Sequence, residues 1–106
     1  MRALVLTAVL FMLAAPALGQ GNRMAGDPAN GEALARRWCA SCHLLEGQSK
    51  ASDAVPAFAT IAHDPQKGPE YLRTFLANPH PPMPPLQLSR SEIGDLVAYF
   101  GELGQR

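Results

Sequence analysis

Cys39-Ala40-Ser41-Cys42-His43 sets two thiols three residues apart with an imidazole directly behind the second. This spacing reads as the attachment site of a c-type haem. Both thiols must reach the two vinyl groups on one side of a porphyrin, and the next residue must then bring its ring under the iron. Cys39 and Cys42 are therefore the expected covalent attachment points, and His43 is the expected proximal ligand.

The same residues leave other chemistries to be weighed. A thioredoxin-like redox pair also uses Cys-x-x-Cys, but in a βαβ setting that the rest of the chain does not offer. A zinc site needs four ligands, usually in two pairs, and the chain has only these two cysteines. A plain disulfide gives no reason for the histidine that follows.

The chain starts with Arg2 and then the uncharged apolar run Ala3 to Ala15, followed by Pro16 and small residues. That is the layout of a secretory signal peptide, expected over residues 1–19. Cleavage fits before Gln20, after Ala17-Leu18-Gly19, or before Leu18, after Ala15-Pro16-Ala17. The run is shorter than the roughly 20 apolar residues of a spanning helix, so a retained membrane anchor is not expected. Export and haem attachment agree with one another, and the expected compartment is a bacterial periplasm.

The chain has nine acidic and nine basic residues, and a leader containing Arg2 would leave nine against eight. A nearly neutral chain gives no reason to expect a nucleic-acid partner. After a short segment over residues 20–26, residues 27–106 are long enough for one domain. They are close to the size at which an apolar core alone is marginal. A buried haem burying several hundred Å² of apolar surface would add on the order of 10 kcal/mol before entropy is subtracted, so the apo chain is expected to be poorly folded.

Helical signals surround the motif. Asp27-Pro28 opens a first helix, because Asp caps and Pro is tolerated at the first helical position. Gly31, Leu34, Ala35 and Trp38 recur at helical spacing and lead into Cys39. A short turn is expected at Phe58 to Ala62. Gly68-Pro69 starts another helix with Tyr71, Leu72, Phe75 and Leu76 inward, stopped by Asn78-Pro79. Ser89-Arg90-Ser91-Glu92 is a capping box that opens a last helix carrying Ile93, Leu96, Val97, Phe100 and Leu103 before Gly104. No strand pattern or internal repeat is found, so the expected fold class is all-α, with three to four helices and loops wrapped round one haem.

Between the last two helices, Pro79-His80-Pro81-Pro82-Met83-Pro84-Pro85-Leu86 cannot be helical, because proline removes backbone donors and fixes φ. It reads as a stiff extended strap with Met83 at its centre, which suits a sixth ligand to iron. A polyproline docking motif is the other reading of such a segment.

With the motif, the Met83-Pro84 pair and the terminal helices in view, the chain resembles a small class I cytochrome c from about Asp27 to Leu103. In that family a helix before the haem motif crosses the C-terminal helix, with a Gly eight residues before the first Cys allowing close approach. Gly31 stands at that position, and Leu96 and Tyr99 match the opposing surface. The resemblance also implies that a proline carbonyl accepts the Nδ1–H of the proximal histidine, and Pro56 is the best match. The lysine-rich rim of the mitochondrial members is missing, so their docking charges do not transfer.

Among the methionines, Met1 and Met12 would leave with the leader and Met24 precedes the first helix, which leaves Met83 as the expected axial partner of His43. His80 and His63 are the alternatives. Trp38 and Tyr71 read as core aromatics, with a weaker reading as donors to a haem propionate. An iron closed on both faces has no site for substrate. The expected function is therefore single-electron transfer between a dehydrogenase or respiratory complex and an oxidase or other cytochrome. The protein would act as a monomer or as a dedicated cytochrome subunit of a redox complex. A haem enzyme or gas sensor with an open sixth position is the alternative from another class.

Overall fold

The structure is a computed structural model that describes residues 26–106. The expected leader (residues 1–19), its cleavage sites, most of the 20–26 segment and Met24 lie outside the described residues. Four helices follow in chain order: α1 (Pro28–Trp38), α2 (Phe58–Ala62), α3 (Pro69–Ala77) and α4 (Arg90–Leu103). There is no strand among the described residues, so the all-α expectation holds and a βαβ thioredoxin setting is absent from them.

Helices α1, α3 and α4 begin where local chemistry says they should. The Asp27 side chain accepts from the backbone N–H groups of Ala29 and Asn30, and Pro28 occupies the first helical position. At α4, Ser89 Oγ accepts from Glu92 N (3.1 Å) while Glu92 Oε2 accepts from Ser89 N (2.7 Å), a complete capping box. Pro69 opens α3, which closes at Asn78.

Helix α4 packs against each of the other three, most extensively against α1. Ile93, Leu96, Val97, Tyr99, Phe100 and Leu103 are buried along it and form one core with Ala35, Cys39, Leu45, Phe58 and Leu72. Gly31 lies in the α1–α4 crossing. A Cβ placed there would meet the Asp95 backbone carbonyl and, at 2.9 Å, Tyr99 Cβ. A Cβ at Gly26, two residues before α1, would meet the Gly94 backbone in the same way, so the chain approaches α4 backbone to backbone at Gly26 and again at Gly31 of α1.

A buried carboxylate fastens this crossing. Asp95, 8% exposed, accepts from Asp27 N (2.7 Å) through Oδ1 and from Asn30 Nδ2 through Oδ2. It thereby takes up an orphan donor at the start of α1, and the side chain that does so lies 68 residues away.

One aromatic expectation is corrected: Trp38 is 49% exposed and is not a core residue, whereas Tyr71 lines the cavity described below. The buried stripe of α1 runs Gly31, Ala35, Cys39 in steps of four, which turns Trp38 off its edge. Arg37 covers the indole instead, 5.0 Å from the ring centroid. On α3 the buried position is Leu72, and Tyr71 lies beside Phe75 with ring centroids 6.0 Å apart.

Candidate functional site

The end of α1 shapes the thiol motif. Cys39 N still donates to Ala35 O (2.8 Å), and the Cys39 carbonyl then accepts from both Cys42 N (3.2 Å) and His43 N (2.9 Å). One tight turn therefore carries both thiols and the imidazole. Cys39 is buried and Cys42 exposed, and the two are not bonded to each other. Burial, with a smaller contribution from Cys42, pushes the Cys39 thiol up to about 11.

His43 is held from its far side. Its Nδ1 lies 2.7 Å from the Pro56 carbonyl oxygen, which can only accept, so Nδ1 is the donor of that bond and Nε2 is the ring nitrogen left for a ligand bond. Phe58 N donates to Leu44 O (2.9 Å), tying the loop after Pro56 to the residue after His43. The Phe58 ring stands edge-on to the imidazole at 5.4 Å and stacks on Phe100 of α4 at 4.5 Å. Phe58 was legible as a residue of a short helical turn, but nothing local in the sequence marks it as the bridge between His43 and α4.

The turn opens onto a cavity of about 390 Å³. Cys39, Cys42, His43 and Pro56 line it, as do Pro82, Met83 and Pro84. Apolar side chains make up most of the rest, among them Phe58, Leu72, Phe75, Leu96 and Phe100. The residues thus fit a haem: a largely apolar body for the macrocycle, two thiols at the attachment spacing, and a nitrogen and a thioether donor in one enclosure. The polar side chains besides the thiols and His43 are Lys67, Tyr71 and His80. His63 does not line the cavity, and its Nδ1 lies 2.8 Å from Ala59 O. No cluster of three or more His, Cys, Asp or Glu that could hold a bare metal ion exists among the described residues, which disfavours the zinc alternative.

Residues 26–100 match the family model described as cytochrome C oxidase, cbb3-type, subunit III. The chain belongs to the class I c-type cytochromes. Cytochrome c-552 of Bradyrhizobium diazoefficiens is 46% identical over 93 residues, which cover 87% of this chain and 89% of that protein. No solved structure matches the chain. This c-type cytochrome carries covalently bound haem c with its iron, and it is an electron-transfer protein rather than an enzyme. The haem supplies a one-electron iron couple, and the largely apolar residues lining the cavity would hold it.

Proposed function

We propose that this cytochrome is a periplasmic single-electron carrier whose haem is attached through Cys39 and Cys42 and ligated by His43 and Met83. The observation that carries the proposal is the cavity itself. His43 and Met83 both line it, and the Pro56 carbonyl oxygen 2.7 Å from His43 Nδ1 supports Nε2 as the ligating nitrogen. With both axial positions filled there is no open site for substrate or gas, so electrons pass by outer-sphere transfer to protein partners. Residues 1–19 are the proposed export signal, followed by a short segment over 20–26 and the cytochrome c domain over 27–106. Among the described residues no helix is long and apolar enough to cross a membrane. The proposed partners are a dehydrogenase or respiratory complex as donor and an oxidase or another cytochrome as acceptor.

The matched family model is named for an oxidase subunit. That name favours a second reading, in which the cytochrome works as a dedicated subunit docked on a larger redox complex. The near full-length match to a protein named simply as a cytochrome supports the free carrier. The sedimentation of the haem absorbance in a periplasmic extract separates the two: a species near the mass of one chain supports the carrier, and a much larger one the subunit.

Ligation is tested by the visible spectrum of the purified protein, oxidised and reduced, with and without carbon monoxide. Met83→Ala should abolish the far-red sulfur-to-iron band and open the ferrous protein to carbon monoxide. If His80→Ala did this while Met83→Ala left the spectrum unchanged, His80 would be the ligand. An intact mass equal to the bare polypeptide would sink the whole reading.

A further inference from the structure

Lys67 is the one Lys, Arg, Asp or Glu among the described residues that line the cavity. Lysine is ordinarily a flexible point charge, but here one residue fixes it. Asp64 accepts from Lys67 N through its carbonyl (3.0 Å), from Gln66 N through Oδ1 (2.9 Å) and from Lys67 Nζ through Oδ2 (2.6 Å). The two side chains are only 35% and 28% exposed. Their hydrogen bond holds the Asp64 carboxyl below its ordinary value and the Lys67 ammonium above its own, so both are charged at neutral pH. Lys67 lines the cavity and Asp64 does not, so the cationic member of the pair is the one beside the cavity. The other polar groups that line the cavity besides the thiols and His43 are the Tyr71 phenol, beside Phe75, and the His80 ring, edge-on to Phe75. Arg73 is paired outward with the exposed Glu70.

We propose that Lys67, pinned by Asp64 in the lining of the cavity, is the charge that tunes the reduction potential of the bound haem. When a partner gives up one electron, ferric iron becomes ferrous and the site loses one unit of positive charge. A fixed cation beside it therefore favours the reduced form and raises the potential. Asp64 sets how much of that field survives, because its carboxylate opposes the ammonium while holding it in place. The inference rests on the haem occupying this cavity.

The test is a spectroelectrochemical titration of the purified holoprotein against a fixed redox standard. Lys67→Gln should shift the electron-exchange equilibrium about two- to fivefold toward the oxidised protein, the range expected of a partly exposed charge. Asp64→Asn, which leaves the cation and removes its counter-charge, should shift it toward the reduced protein, and Lys67→Arg should stay close to the parent. A role confined to stability would not give opposite signs. Unless Lys67→Gln and Asp64→Asn move the equilibrium in opposite directions, the proposal fails. Retention of the far-red band and of the haem mass in each variant keeps that failure separate from a failure of the ligation scheme. Absence of a single one-electron wave in the parent protein would instead refute the carrier function.

Discussion

Gly31→Ala tests the contact on which the fold turns. The new Cβ would sit 2.5 Å from the Asp95 carbonyl carbon and 2.9 Å from Tyr99 Cβ, with the Asp95 oxygen closer still. Carbon atoms in good contact lie about 3.5–4.0 Å apart, so α1 and α4 must part by roughly 1 Å. Two of the three obstructing atoms are backbone, and no rotamer change relieves them. Overpacking of this kind costs about 1–3 kcal/mol. Parting the helices also stretches the Asp95 bonds to Asp27 and Asn30, at about 1 kcal/mol. Replacing a helical glycine by alanine returns about 1 kcal/mol. The net expectation is a loss of about 1–3 kcal/mol, larger for Gly31→Val because a β-branched residue forfeits most of the helix gain. Gly101→Ala is the matched control: it lies in the same crossing helix, nothing stands within 4 Å of its added Cβ, and it should stabilise by about 0.5–1 kcal/mol. Urea titration of the holoprotein, followed by far-ultraviolet circular dichroism, reads both. With a slope of about 1 kcal/mol/M for a chain this small, Gly31→Ala should lower the midpoint by roughly 1–3 M. A Gly31→Ala midpoint at or above the parent value would refute a backbone-to-backbone crossing at this point.

The other expectations are briefer. Asp95→Ala leaves the Asp27 N–H and the Asn30 amide without their acceptor and should cost about 2–4 kcal/mol in the same titration, with Asp95→Asn milder because one acceptor remains. Tyr99→Phe should be neutral or stabilising by up to about 1 kcal/mol, since the Tyr99 hydroxyl is buried with no hydrogen-bond partner among the described residues; a clear loss of stability would show that it has one. Pro82, Pro84 and Pro85 are exposed and uncharged beside the cavity, and the chain is nearly neutral, so oxidation by a native partner should run at about 10⁵–10⁷ M⁻¹s⁻¹ with little dependence on salt. A steep fall of that rate with ionic strength would mean that clustered charge guides the encounter.

What could be read from the sequence was what local chemistry decides. The Asp27-Pro28 start, the Ser89 to Glu92 capping box and the Asn78-Pro79 stop are each written within four residues, and the helices begin and end there. The thiol motif was legible for the same reason, since its turn is closed by bonds within five residues. The Gly31 crossing came through a family resemblance, and α4 does meet α1 there. The exposure of Trp38 was not legible, because a 3.6-residue period does not decide between neighbours at the edge of a stripe. Nor were the roles of Asp95, whose donors are 65 and 68 residues distant, or of Lys67, whose importance depends on which of two paired residues lines the cavity.

The two proposed axial residues are held by different physics. His43 is fixed by bonds and packing: the Pro56 carbonyl on Nδ1, the Leu44–Phe58 backbone bond, and a phenyl edge that itself stacks on α4. Met83 has almost none of this. Its strap contains five prolines between residues 79 and 85, which remove five backbone donors, and its own N–H makes a single local bond to His80 O (3.2 Å). What the strap loses in hydrogen bonds it regains in stiffness, because each proline fixes φ and leaves fewer conformations to give up on folding. The thioether is thus placed by covalent geometry and the imidazole by a network. A one-electron carrier needs both placed before the electron arrives, with nothing left to reorganise. A hydrogen-bonded network on the Met83 side would have required backbone donors there, and donors would have let the segment wind into helix. The proline content of the strap and the polar anchoring of His43 are therefore two solutions to one requirement, each suited to the local chain that has to meet it.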